Sequence, residues 1–364
     1  MFGGGCSVSG PPTPSDQPDQ PDLATTADGG VPMDTGGTDG GGPSPDAQGI
    51  SCSPTTPTPI TTLGRGVRAL AVDGANVFWI AHVSGLAGAY RAPKAGGEAT
   101  QLFPVRDLQD DAYDWDLVVD GDVLFLSDSG DAGVSPGSGP IWRVTSPGHA
   151  TKLAEGESYP CRGAGHPRRL AIDASRVYWT EDAGRYIGDY QPSPEPTCDP
   201  NMSFRFLRSV SKSGGEVRRL ARVTSINAVL GGDFAYFTNG PTLYRLPKAG
   251  GTPQPVATGL ATDQPLLAID GDQIYLGGPD GSVQVVDRNR GTIRNVAGAS
   301  GEHSEVQRFA FDERYVYWAS DGDGGGIRRA PKAGGAVELV VSGGTSAVAV
   351  DENYLYWDEM RRCK

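Results

Sequence analysis

A chain of 364 residues can hold two average domains or one large repetitive one, and here 31 Lys and Arg against 44 Asp and Glu leave a formal net charge of −13. That balance argues against nucleic acid as a partner, because a phosphate backbone demands a clustered positive footprint. No apolar run approaches the roughly 18 residues of a membrane-spanning helix, which leaves a lipid anchor as the membrane attachment to consider.

Residues 7–59 contain no aromatic side chain and read as Gly, Pro, Ser, Thr and Asp. Such a stretch cannot bury enough apolar area to offset its ordering entropy, so it is expected to be a disordered linker. In front of it, "MFGGGCSVSG" resembles the edge of a bacterial lipoprotein signal, where a cysteine after a small residue is lipidated. The resemblance makes Cys6 the lipid carrier, although the basic and apolar segments of such a signal are not present. The expected organisation is therefore a lipoprotein-like N-terminus and linker over 1–59 and a folded body over 60–364.

Within the body, "LAVDGANVFW" (70–79), "LVVDGDVLFL" (117–126), "LAIDASRVYW" (170–179), "AVLGGDFAYF" (228–237), "LAIDGDQIYL" (267–276), "FAFDERYVYW" (309–318) and "VAVDENYLYW" (348–357) are copies of one unit. Each carries two short apolar runs around a few turn residues, the pattern of a strand, a tight hairpin and a second strand. A Phe or Tyr recurs at 78, 125, 178, 236, 275, 317 and 356, and five residues before each stands Asp73, Asp120, Asp173, Gly231, Asp270, Asp312 or Asp351. An acid repeated around a fold is architecture rather than an active site, and an Asx turn accepting nearby backbone amides is its expected role.

After the second strand come segments such as "AYRAPKAGGEATQLF" (89–103) and "IRRAPKAGGAVELVV" (327–341), each a strand, a turn and a further strand. The glycines of "PKAGG" suit a hairpin tip, and no helix follows that could make it a phosphate loop. Four short antiparallel strands per unit, repeated radially, predict an all-β fold: a seven-bladed β-propeller of four-stranded antiparallel blades. "VYWTED" (177–182) and "VYWASD" (316–321) resemble the signature of the YWTD and NHL propeller repeats, a resemblance that covers about 60–364 and implies the fold more than any activity.

The seventh unit stops at "MRRCK" (360–364), so its fourth strand has to come from elsewhere. "PITTLGRGVRALAVD" (59–73) resembles "VELVVSGGTSAVAVD" (337–351), which predicts that residues 60–63 pair with 360–363 and close the ring. Five cysteines then divide into Cys6 for the lipid and two disulfides. Of three connectivities the blade register favours Cys52 with Cys363 and Cys161 with Cys198. Disulfides persist in oxidising compartments, so the body is expected outside the cytoplasm, as a cell-envelope lipoprotein or a secreted protein.

The intervals between aromatic markers are longest across the first three blades, and the excess falls in 104–115, 127–139, 155–168 and 181–205. All of these loops belong to one face. That elaborated rim is the candidate binding site, with Asp111, Tyr113, Trp115, Arg162, His166, Arg168, Arg169, Tyr186 and Tyr190 as candidate contacts for a protein or polysaccharide partner of a monomeric propeller. No cofactor is expected beyond a candidate calcium site at "SDGDGGG" (320–326), through Asp321 and Asp323, which match no EF-hand. The alternative reading is a lyase or hydrolase at the central channel mouth. There His166 or His82 would need facing acids, and "GPDGSVQVV" (278–286) resembles the repeats of the virginiamycin B lyase family.

Overall fold

The computed structural model describes residues 57–61, 66–81, 87–104, 115–127, 139–159, 163–183, 205–223, 225, 227–262, 265–299, 304–322 and 324–363, with backbone only at 158–159, 163–166 and 182–183. The described residues are all β with no helix, in seven antiparallel sheets. Blade strands fall within 67–104, 116–155, 158–223, 228–258, 266–297, 306–342 and 348–363, and the last sheet is completed by Thr58–Pro59. Blade three carries an extra strand, Ser158–Tyr159, paired to its first. The first strand of each blade touches that of the next, and Val348–Val350 returns to Val67–Val72, so the ring is closed with the first strands innermost.

The core lies between blades. Seven hydrophobic clusters are each shared by two neighbouring blades. Their largest contributors are the second strands, whose Trp79, Trp179, Trp318, Phe78, Tyr178 and Tyr317 are fully buried. The marker aromatics thus do the radial packing that a propeller needs, and burying one such ring supplies roughly 2–3 kcal/mol.

Hairpins between first and second strands come in two forms. Asp73, Asp173, Asp312 and Asp351 make the expected Asx turns, as in Asn76 N to Asp73 Oδ1 at 2.6 Å and Tyr315 N to Asp312 Oδ1 at 2.6 Å. Three of these carboxylates also take the marker hydroxyl, from Tyr178 (2.8 Å), Tyr317 (2.7 Å) and Tyr356 (2.8 Å). Asp120 and Asp270 instead pair with Val123 and Gln273 across two-residue turns, with Gly121 and Gly271 at φ of 56° and 55°. All of these hairpins turn through two residues, since Asp73, Asp173, Asp312 and Asp351 N donate to the carbonyl three residues on; what differs is the positive φ of Gly121 and Gly271, a primed turn that uses no Asx bond.

The lysine of the "PKAGG" tip ties neighbouring blades. Lys94 reaches Asp351 at 2.6 Å, Lys212 reaches Asp120 at 2.6 Å, Lys248 reaches Asp173 at 3.2 Å and Lys332 reaches Asp270 at 2.6 Å, each time the marker acid of the preceding blade. The missing acid of blade four follows the same logic. A Cβ on Gly231 would stand 2.3 Å from Nη1 of Arg288, the blade-five residue that fills this place.

The N-terminal strand closes blade seven in a different register from the expected one. Thr58 and Pro59 lie opposite Arg362 and Arg361, and Ile60 N donates to Met360 O at 2.8 Å, three residues from the 60–63 pairing. The outer strand must still reach the innermost strand at Val67, across about 14 Å at ~4.8 Å per strand spacing. Four residues span at most ~14 Å when fully extended, which would leave no residue for the turn, so the observed register gives the chain the slack it needs. Ile60, 3% exposed among Met360, Trp79, Tyr90 and Tyr356, fixes that register.

Candidate functional site

Each first strand begins on the face where blades are joined and ends at the marker acid on the opposite face. Counting four residues back from the marker gives one position per blade: Ala69, Asp116, Arg169, Asn227, Leu266, Arg308 and Ala347. In five blades this position lines a common cavity, while Ala69 and Ala347 are buried in the apolar contacts between blades. Asp116, Arg169, Asn227, Leu266 and Arg308 line one cavity of about 220 Å³, together with Ala171, Ile172, Val229 and other first-strand residues.

Asp116 organises the site. It is 4% exposed, and its Oδ2 accepts from Leu170 N of blade three at 2.7 Å. Its Oδ1 accepts from Nη2 of Arg308, which reaches across the channel from blade six. Asp116 N in turn donates to Ser127 Oγ at 3.1 Å, which fixes the start of the strand. The carboxylate is thus held from two other blades, by the Leu170 amide of blade three and the Arg308 ion pair of blade six.

Arg169 is placed by a strained backbone. The first strand of blade three shifts register between Arg168 and Ala171, and Arg169 takes φ of 51°, left-handed territory that an arginine rarely adopts. Its guanidinium forms no hydrogen bond among the described residues. Burial first, and then repulsion from Arg308, pull its pKa down to about 10, while Asp116 and Glu305 oppose that fall. Asn227, also 4% exposed, donates Nδ2 to Pro265 O at 3.2 Å, which orients the amide and leaves Oδ1 buried without a partner.

Next to this cavity, blade three holds a buried ionic network. Glu181, fully buried, accepts from Arg208 Nη1 at 2.9 and 3.0 Å, from Trp179 Nε1 at 3.1 Å and from Glu157 N at 2.8 Å. Arg208 and Arg219 both reach the Glu157 carboxylate. The network pins the ends of the two strands that flank residues 184–204.

The expected rim residues are distributed unevenly. Arg168 and Arg169 are half-buried in the second half of the innermost strand Gly163–Ile172, and of the two only Arg169 lines the cavity. Trp115, 3% exposed, packs between blades one and two with Leu117 and Leu126 and presents no ring to a partner. His166 sits on the same strand as Arg169, with its side chain outside the described residues. Asp111, Tyr113, Arg162, Tyr186, Tyr190, Asp323, Cys6, Cys52, Cys161, Cys198, His82 and His303 also fall outside them. His149 begins the outer strand of blade two, away from the channel. Asp321 is exposed and accepts from Gln307 Nε2 at 3.0 Å. Among the described residues no group of three or more His, Cys, Asp or Glu stands together as a metal ion would need.

Sequence reasoning missed Asp116, Asn227 and Arg308 as a set. The signal was available as polar residues at one fixed offset from a repeated marker, where blades one, five and seven carry Ala or Leu.

Neither a protein-family model nor a curated protein matches the chain. Solved structures do. The WD40 β-propeller domain of Doa1 is 12% identical with a TM-score of 0.57, covering 86% of this chain and 96% of that one. Puromycin hydrolase is 13% identical with a TM-score of 0.56, covering 82% of this chain and 51% of that one. PorZ, an essential bacterial surface component of the type-IX secretion system of Porphyromonas gingivalis, is 15% identical with a TM-score of 0.55, covering 82% of this chain and 36% of that one. At these identities the likeness is one of fold, and it agrees with a ring of β-blades.

Proposed function

We propose that this propeller is an extracytoplasmic, lipid-tethered binding module that engages a protein or polysaccharide partner on its blade-joining face. The observation that carries this reading is the polar set in the channel: Asp116, Arg169, Asn227 and Arg308, drawn from four blades, converge on one cavity between the innermost strands. A rigid ring presenting convergent polar groups is the usual construction of a recognition surface. Binding is favoured over the lyase or hydrolase alternative because the cavity's carboxylate is engaged by Leu170 and Arg308, and arginine stays protonated in proteins. General acid-base work needs a group that exchanges its proton near the working pH.

The tether reading assigns Cys6 to the lipid and pairs Cys52 with Cys363 and Cys161 with Cys198. Its support is Cys363 itself, a buried, disulfide-bonded residue next to the strand that residues 57–60 complete. The Asp-to-Tyr bonds at 173 and 178, 312 and 317, and 351 and 356 favour YWTD/NHL-type repeats.

Full-length protein and a variant with 184–204 replaced by a short Gly-Ser connection would be used to capture partners from envelope extract, with proteins read by mass spectrometry and glycans by sugar analysis. Loss of a captured species in the variant supports the reading. An identical captured set sinks it. Peptide mapping without reduction tests the two disulfides.

A further inference from the structure

We infer that the channel cavity is a binding site for a hydroxylated carboxylate, the chemistry of a uronic-acid unit, with Arg169 taking the carboxylate and Asn227 Oδ1 accepting from a neighbouring hydroxyl. The inference rests on the partner reading above only in placing ligand at the blade-joining face. Two observations converge on it. Arg169 is held at φ of 51° by a bulge, with its guanidinium committed to no hydrogen bond among the described residues. Asn227 lines the same cavity with a buried acceptor oxygen that no donor satisfies, its orientation set by Pro265 O. Such an orphan is costly unless a ligand supplies the donor.

Charge narrows the class. Arg169, Arg308 and the neighbouring Arg168 supply three positive charges against two negative ones, Asp116 inside the cavity and Glu305 within electrostatic reach of Arg169, which leaves a surplus of one. The balance suits one negative charge and disfavours a dianion such as phosphate. Size narrows it further, since about 220 Å³ lies below the roughly 300–1,000 Å³ of pockets that hold drug-sized ligands. A single hydroxylated ring or short hydroxy acid fits, and the apolar Leu266 and Leu267 offer a face for ring carbons.

Calorimetric titration of the full-length protein tests this with galacturonate, digalacturonate, methyl galactoside and inorganic phosphate as probes. The decisive variant is Arg169→Gly, because glycine accepts a positive φ without a Cβ penalty and so removes the guanidinium while easing the backbone. Galacturonate is expected to bind one-to-one, the neutral galactoside and phosphate at least tenfold more weakly, and Arg169→Gly to weaken galacturonate by about tenfold or more, the loss of a charge-assisted hydrogen bond. Tighter binding of digalacturonate than of galacturonate assigns the unit to a polymer, and equal binding assigns it to a free acid. No binding of either acid by the wild type, or equal binding by Arg169→Gly, overturns the site. If envelope partners are still captured in that case, the partner reading survives alone.

Discussion

At the scale of single residues, carboxylates in this ring are tuned in opposite directions by what surrounds them. Burial disfavours the Asp173 anion, but donors from Ser175, Tyr178, Arg176 and Lys248 outweigh it and hold the carboxyl below the usual range. Asp351 follows the same pattern with Lys94, Asn353 and Tyr356. Depressed folded pKa values add stability that is present above the unfolded value of about 3.9 and disappears as pH falls through the folded ones, so acid should loosen the inter-blade ties. Asp358 behaves oppositely. Burial first, and repulsion from Glu359, raise its pKa despite bonds from Ser346 N (2.6 Å) and Oγ (3.0 Å). A raised carboxyl weakens the fold at neutral pH, and the penalty vanishes once pH drops below the unfolded value. Asp358→Asn keeps an oxygen for Ser346 and removes the charge. The variant should therefore be more stable than wild type in urea at pH 7 and equal to it near pH 3.5. A deficit at pH 7 would mean that the charge itself is needed there. The marker acids were readable from their recurrence, whereas their lysine partners were not, because a blade-to-blade pairing leaves no local pattern in the chain.

Among the structural elements, the strand that completes blade seven carries the most risk and the least sequence. It forms two ladder pairs and one further bond, yet it covers the edge of Arg361–Cys363 and ties blade seven to the "PKAGG" tip of blade one, through Gly97 N to Ile60 O at 3.2 Å and Arg362 to the Lys94 and Ala95 carbonyls. Ile60 is its one buried anchor. Ile60→Ala should cost about 2–4 kcal/mol in denaturation and accelerate hydrogen exchange at 355–363 ahead of the other blades. Uniform acceleration around the ring would show that the seam is no weaker than any other blade contact. The need for a closing strand was legible in the truncated seventh copy. Its register was not, because Thr61 and Thr62 are as compatible with a strand as Thr58, and the register is set by the burial of Ile60 between blades one and seven. Blade three shows the same limit: its bulge at Arg168 to Ala171 and its extra strand leave the repeat pattern intact in the sequence while re-aiming Arg169.

Across the whole molecule, the channel is where blades two, three, four and six communicate, and Asp116 is the joint. Its carboxylate holds Arg308 from one side of the ring and Leu170 N from the other. Asp116→Asn retains an acceptor for Leu170 and leaves the Arg308 guanidinium without its counter-charge. Breaking a buried pair by removing one partner costs about 3–5 kcal/mol, and less when one partner is partly exposed. With Arg308 at 23% side-chain exposure, a loss of about 2 kcal/mol is expected in urea denaturation. The same change releases a second guanidinium into the cavity, so galacturonate should bind Asp116→Asn more tightly than wild type even as the fold weakens. Asp116→Asn combined with Arg308→Met keeps the acceptor for Leu170 N and removes the stranded guanidinium; it should recover most of the lost stability and should not gain galacturonate affinity. These opposite movements separate a ligand site from a structural plug. If Asp116→Asn lost stability with unchanged affinity for the acid, the pair would serve only to hold the ring together, and Arg308 would have no part in recognition.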